Sequence, residues 1–281
     1  MNTFSLKHYR VGIVLFYALA VAALAVAAVY DLQIDIALND TSSFIANWLA
    51  DTGEMPGYLL LLAVGGVLAK CLQNKWLKGL FAVGTVGAGV YLGDYVARRL
   101  FENNDFRVGY GVIYGVGVAL LFLLALHFIP VPERLVKPLI LMAVIGLCAY
   151  GMSSGIINLM KTVWGRVRFR DLTDGYEAFT AWYVINGDTG AHSFPSGHTG
   201  SAGATYFLMF LPFVSEKWQK RRYLCFAAAF LYTSAVAATR LIMGAHYLSD
   251  VTVGGTIVFT CVLAGLAVYQ KLLPRFAGTD A

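Results

Sequence analysis

Three short polar stretches interrupt an otherwise apolar chain, and their residue types suit one kind of chemistry. They are KTVWGRVRFR, which opens at Lys161, PSGH at Pro195 to His198, and TRLIMGAHYLSD, which ends at Asp250. Lys161, Arg168 and Arg240 supply fixed positive charge, and the guanidinium fork matches phosphate oxygens. Ser196 and Gly197 stand where an apolar run begins. The unbonded N–H groups of a helix start face an anion, and glycine lets the backbone come close to it. His246 and Asp250 are one helical turn apart, so their side chains can share a face. A carboxylate on one imidazole nitrogen fixes the tautomer and leaves the other nitrogen free to act as a nucleophile. His198 is then available as the general acid for a leaving oxygen. Cation clamp, nucleophile, orienting carboxylate and proton donor form a complete set for phosphoryl transfer through a phosphohistidine.

Arg240 precedes His246 by six residues. On an unbroken helix the two would point about 240° apart. Gly244 between them is therefore expected to break the helix and bring both into one pocket. Other polar residues have plainer readings. Arg98, Arg99, Arg107 and Arg170 are expected to meet solvent or lipid headgroups. Asp94 and His127 fall near helix ends, where an interfacial position suffices. His192 neighbours PSGH but lies outside it, and His8 flanks the first apolar run. Arg166 reads equally as a solvated loop residue or as a support behind the catalytic groups. Trp182 and Tyr183 suit the membrane–water boundary.

The elements that must position these groups are membrane helices. Of 281 residues 58% are hydrophobic and only 13% charged, against roughly 25% in soluble domains. A net charge of +5 is spread in short basic clusters between apolar runs, so nothing points to nucleic acid. The four cysteines sit inside apolar runs with no metal-like pair, which predicts buried reduced thiols. Eight runs approach the length of a membrane span, at about 11–30, 56–71, 78–97, 109–129, 137–159, 198–214, 222–241 and 250–272. The first is longer than a signal-peptide core and is expected to stay as a helix. With the N-terminus inside, the inner segments carry thirteen of the 21 Lys and Arg, as the positive-inside rule requires. Five of the eight outer ones fall in or beside the polar stretches. Counting helices places all three stretches on the outer face, the first two joined by a loop at about 160–197.

Lys161 with six residues before Arg168, then PSGH, then Arg240, five residues, His246, three residues and Asp250 together resemble the type-2 phosphatidate phosphatase superfamily. The resemblance covers Lys161 to Asp250 and the flanking helices. It implies an all-α polytopic membrane helical bundle, with a six-helix phosphatase core plus about two extra hydrophobic helices. One integral membrane domain over 1–281 is expected, with N-terminal helices over 1–136, an insertion at about 56–97, and catalytic helices over 137–272. The resemblance assigns His246 as nucleophile, His198 as acid and base, and Asp250 as the partner of His246. It makes Lys161, Arg168, Ser196, Gly197 and Arg240 phosphate ligands, and it implies no metal and no cofactor. Two positions depart from the family pattern: Phe169 stands where Pro is usual, and Thr239 where Ser is usual. The expected activity is hydrolysis of a phosphomonoester or terminal pyrophosphate of a lipid. Candidate substrates are phosphatidic acid, phosphatidylglycerol phosphate, undecaprenyl diphosphate and lipid A phosphates. A transferase using the same intermediate and a non-catalytic lipid-phosphate binder or transporter are the alternatives. The expected setting is a bacterial inner membrane, with cytoplasmic termini and a periplasmic site.

Overall fold

A computed structural model describes residues 4–101 and 106–277 of the chain. It is helical, with no strand among the described residues. Seven helices among these residues are long and apolar enough to cross a membrane. The protein is therefore an integral membrane protein of the all-α, polytopic class. The helices are α1 (Arg10–Leu38), α2 (Phe44–Thr52), α3 (Met55–Cys71), α4 (Lys75–Leu100), α5 (Arg107–Phe128), α6 (Glu133–Trp164), α7 (Gly197–Ala202), α8 (Leu211–Val214), α9 (Glu216–Gln219), α10 (Arg222–Ile242) and α11 (Leu248–Ala277). Lys7, Arg10, Lys271 and Arg275, the charges that predict cytoplasmic termini, lie within the described residues.

The chain forms two compact units: Met1–Glu54 with Ala149–Ala264, and Met55–Cys148 with Gly265–Ala281. In the second, Val64 and Leu68 of α3 pack with Ala143 of α6. Helices α4 and α5 meet backbone to backbone. A Cβ added at Gly93 would overlap the Gly111 carbonyl oxygen, and one at Gly115 would overlap the Gly89 carbonyl oxygen. This four-residue glycine spacing lets helices gain van der Waals contact in lipid, where no hydrophobic drive brings them together.

The other unit carries all three polar stretches. Its interior is aromatic: Phe16 of α1, Tyr206 and Phe259 of α11 are buried and packed ring on ring, with centroids 4.0 Å apart for Phe16 and Phe259 and 4.8 Å for Tyr206 and Phe259. Helix α1 continues eight residues past the expected end at Tyr30, and the added turns bury Asp31 and Asp35. The short α2, which the hydropathy pattern does not predict, is N-capped by Ser43. The Tyr232 hydroxyl ties it to α10 by donating to the Thr52 carbonyl.

The eight expected spans become seven because the run 198–214 is not a regular α-helix. It folds as six residues of α7, eight of 3-10 helix (Gly203–Phe210) and four of α8. The 3-10 helix rises ~2.0 Å per residue against ~1.5 Å for the α-helix, so this mixture covers about 31 Å. That matches the 21 residues of α10, which also cover about 31 Å. A short run thus reaches as far as its neighbour and brings α10 back to the level of PSGH. A second difference concerns the cysteines. Cys71, Cys225 and Cys261 are buried as expected, but Cys148 is exposed.

Candidate functional site

Helix α10 stops at Ile242 and Gly244 takes a left-handed backbone with φ +57°. The amides of Ala245 and His246 then fold back onto the Arg240 carbonyl, at 2.9 and 3.2 Å. The break expected at Gly244 therefore exists, and it brings His246 next to Arg240. The turn is held from outside as well. The Arg170 amide donates to the Gly244 carbonyl at 2.9 Å, and the Asp40 amide to the Ile242 carbonyl at 2.8 Å. The PSGH segment is fastened by the Ser193 amide to the Arg166 carbonyl and by the Ser196 amide to the Asp250 carbonyl, both 2.9 Å. The three polar stretches are one hydrogen-bonded cluster.

His246 is buried, and its Nδ1 lies 3.5 Å from Asp250 Oδ2. That is a close contact, longer than an ordinary hydrogen bond. Burial pushes the imidazole down to about 4 from 6.5; Asp250 opposes this, while Arg240 and Arg168 add to it. Desolvation wins, so the ring is neutral at ordinary pH. The carboxylate opposite Nδ1 draws the proton there, which leaves the Nε2 lone pair open.

Asp250 is fully buried and thoroughly bonded. Oδ1 accepts from Arg166 Nη1 at 2.7 Å. Oδ2 accepts from the Ser193 hydroxyl and from the Tyr247 amide. Arg166 is itself fully buried and holds a second carboxylate, Asp31 of α1, at 2.9 Å through Nη2. Its Nε donates to the Thr180 carbonyl at 2.8 Å, and its guanidinium carbon lies 3.9 Å from the Tyr247 ring centroid. Ser249 closes the circuit by bonding Asp31 through both its amide and its hydroxyl. Of the two readings the sequence leaves open for Arg166, the structure selects support for Asp250.

Lys161, Arg168 and Arg240 are gathered around the same point. The charges of Arg168 and Arg240 act on His246, and those of Arg168, Glu54, Asp250 and Arg240 act on Lys161. Arg168 Nε is buried with no hydrogen-bond partner among the described residues. Gly197 packs close to Lys161: a Cβ there would stand 3.0 Å from Lys161 Nζ. The Ser196 hydroxyl accepts from the Thr199 amide and hydroxyl as the N-cap of α7, and its own proton is left to donate elsewhere. His198 is partly buried, with Nδ1 3.1 Å from Glu54 Oε1. All eight sequence-predicted site residues therefore fall in one unit.

Phe169 and Thr239 have structural explanations. The Phe169 side chain is buried and lies parallel to the Tyr176 ring, with centroids 5.9 Å apart. The Thr239 hydroxyl donates to the Val236 carbonyl at 2.7 Å, inside its own helix. Asp31, Asp35 and Glu54 are the neighbours that sequence reasoning misses. The two aspartates had a weak signal: two acids one turn apart directly after an apolar run, where burying a charge is costly. Nothing in the sequence around Glu54 marks it. Beside the cluster, α1, α10 and α11 enclose a mostly apolar cavity of about 300 Å³ whose wall includes Thr199 and Leu248.

Compared with known proteins, residues 138–274 match a family model described as the PAP2 superfamily. No curated protein and no solved structure matches the chain.

Proposed function

The chain belongs to the PAP2 superfamily, and from that premise we propose that it is a membrane phosphatase that hydrolyses a phosphomonoester or terminal pyrophosphate of a lipid through a phosphohistidine. The observation that carries this reading is the pairing of a buried, neutral His246 with Asp250 beside Arg168 and Arg240. In the first step His246 Nε2 attacks phosphorus and the bond from phosphorus to the leaving oxygen breaks. His198 passes its proton to that oxygen. Lys161, Arg168 and Arg240 face the oxygens that gain charge, as donors fixed in place before the reaction, joined by the Ser196 hydroxyl and the Gly197 amide. As His246 becomes cationic, Asp250 balances it, and Arg166 keeps Asp250 in place. In the second step His198 takes a proton from water, water oxygen attacks phosphorus, and the P–N electron pair returns to His246. Three fixed cations supply the charge neutralisation that a metal would otherwise provide, so the reaction runs without one. The apolar cavity beside α7 suits the alkyl part of a lipid. The proposed setting is a bacterial inner membrane with the site facing the periplasm.

The test is phosphate release from a panel of lipid phosphates in detergent with EDTA, comparing the native protein with His246→Ala. Release by the native protein alone, with an acid-labile phosphoenzyme trapped on quenching, is the expected result. Equal release by both proteins would remove His246 from the reaction. Phosphate recovered on an added alcohol would make the protein a transferase.

A further inference from the structure

The two histidines of the cluster have matching surroundings that the family motifs do not describe. Each has a carboxylate oxygen facing Nδ1: Asp250 for His246 at 3.5 Å, and Glu54 for His198 at 3.1 Å. Asp250 is four residues from its histidine, so a motif can record it. Glu54 comes from the turn between α2 and α3 and lies outside the family-matched residues. The two pairs differ in burial. His246 and Asp250 have side chains 2% and 0% exposed, while His198 and Glu54 are 21% and 26% exposed. Asp250 is also shared with Arg166, Ser193 and the Tyr247 amide, whereas the Glu54 contact is of ordinary hydrogen-bond length.

We propose that Glu54 is the positioning residue of the general acid: it accepts the His198 Nδ1 proton, so that the opposite nitrogen, Nε2, carries the proton delivered to the leaving oxygen. This rests on the phosphatase reading above. The same carboxylate–imidazole contact then yields two outcomes. In dry surroundings desolvation leaves His246 neutral and nucleophilic. In wetter surroundings the carboxylate holds the Nδ1–H of His198 and leaves Nε2 to face the leaving oxygen. Lys161 and Tyr150, both on α6, also couple electrostatically to Glu54. The one carboxylate therefore orients the acid and offsets part of the positive charge around the phosphate position.

A proton donor matters in proportion to how poor the leaving group is. The experiment compares a long-chain alkyl phosphate, whose alkoxide leaves badly, with 4-nitrophenyl phosphate, whose phenolate leaves without help. General acid catalysis contributes roughly 10²–10⁴-fold. Glu54→Gln should therefore slow phosphoenzyme formation from the alkyl ester, read by rapid quench, by about 30-fold or more while slowing that from the aryl ester by only a few-fold. Glu54→Asp should restore part of the rate. In a His198→Ala background, Glu54→Gln should have no further effect. The aryl reaction serves as the control for correct folding. An equal loss on both esters, or additive losses with His198→Ala, would make Glu54 a structural residue and overturn the proposal, as would full activity on both. Failure of the native protein to release phosphate from either ester would overturn the phosphatase reading itself, and this assignment with it.

Discussion

At the scale of single residues, the proposed chemistry depends on keeping His246 uncharged. A histidine in water is half protonated near pH 6.5, but burial lowers His246 to about 4. Its protonated form is disfavoured in the folded protein, so the nucleophile persists as the pH falls through 6.5 and is lost only on approach to pH 4. The expected outcome is an acid limb for phosphoenzyme formation near pH 4, read by rapid quench with an aryl phosphate; a limb at 6.5 would mean that the ring is solvated during turnover. Asp250→Asn keeps the shape but removes the charge that balances the imidazolium. A loss of about 10³–10⁴-fold in kcat, with substrate binding little changed, is expected from the analogous role of carboxylates in catalytic triads. The groups proposed to act on phosphate were legible in the sequence because their residue types and spacings are themselves chemical statements. Glu54 was not, and Asp31 showed only as one of two acids that follow an apolar run. A carboxylate whose partner is far along the chain leaves no local pattern that names the partner, and only the packing of α1 and α2 against the other helices brings the two together.

At the scale of elements, α1 is a functional part of the site through one salt bridge. Arg166 holds Asp31 of α1 with one nitrogen and Asp250 with another, and all three side chains are buried. Arg166→Met would leave two buried carboxylates without their cation. Removing one partner of a buried pair costs about 3–5 kcal/mol, so this variant should show a markedly lower Tm in detergent and should lose activity along with Asp250 alignment. The turn after α10 is equally demanding. At Gly244 a side chain would be strained by the positive φ, and its Cβ would stand 2.9 Å from the Phe169 ring and 3.0 Å from Asn39 Oδ1. Gly244→Ala should destabilise by about 1–3 kcal/mol and lower kcat by moving His246 away from Arg240, which paired thermal melts and phosphate-release assays would detect. The need for this break was readable from the six-residue gap between Arg240 and His246. The fastening of the turn by Arg170 and Asp40 was not, because backbone amides carry no sequence signature.

At the scale of the whole molecule, hydropathy gave the fold class and most of the helices, but it measures the number of apolar residues rather than the distance they cover. The run 198–214 shows the gap between the two. Its 3-10 turns lengthen it, and with that length the proposed topology puts the loop containing Tyr183 and the basic loop at 216–221 on opposite sides of the membrane. Single cysteines at Tyr183 and Gln219, introduced into a cysteine-free background in intact cells, should respond oppositely to an impermeant thiol reagent: Tyr183→Cys labels and Gln219→Cys does not. Labelling of both would mean that the run does not cross. The family match begins at residue 138, and so it describes the catalytic stretches without the N-terminal helix that supports them.

That support sets an order of events during synthesis. Asp31 and the Arg166 that neutralises it are 135 positions apart. At roughly 5–20 residues per second, a ribosome needs about 7–27 s to cover that distance. For this interval the first helix carries Asp31 with its cation still unmade, and a charged side chain at the centre of a membrane helix costs roughly 2.5–3.5 kcal/mol. The nascent chain must therefore keep that end of α1 near water or near the insertion machinery. Only when Arg166 emerges can the helix settle, and the step that seats the first helix is the same one that begins to build the catalytic site.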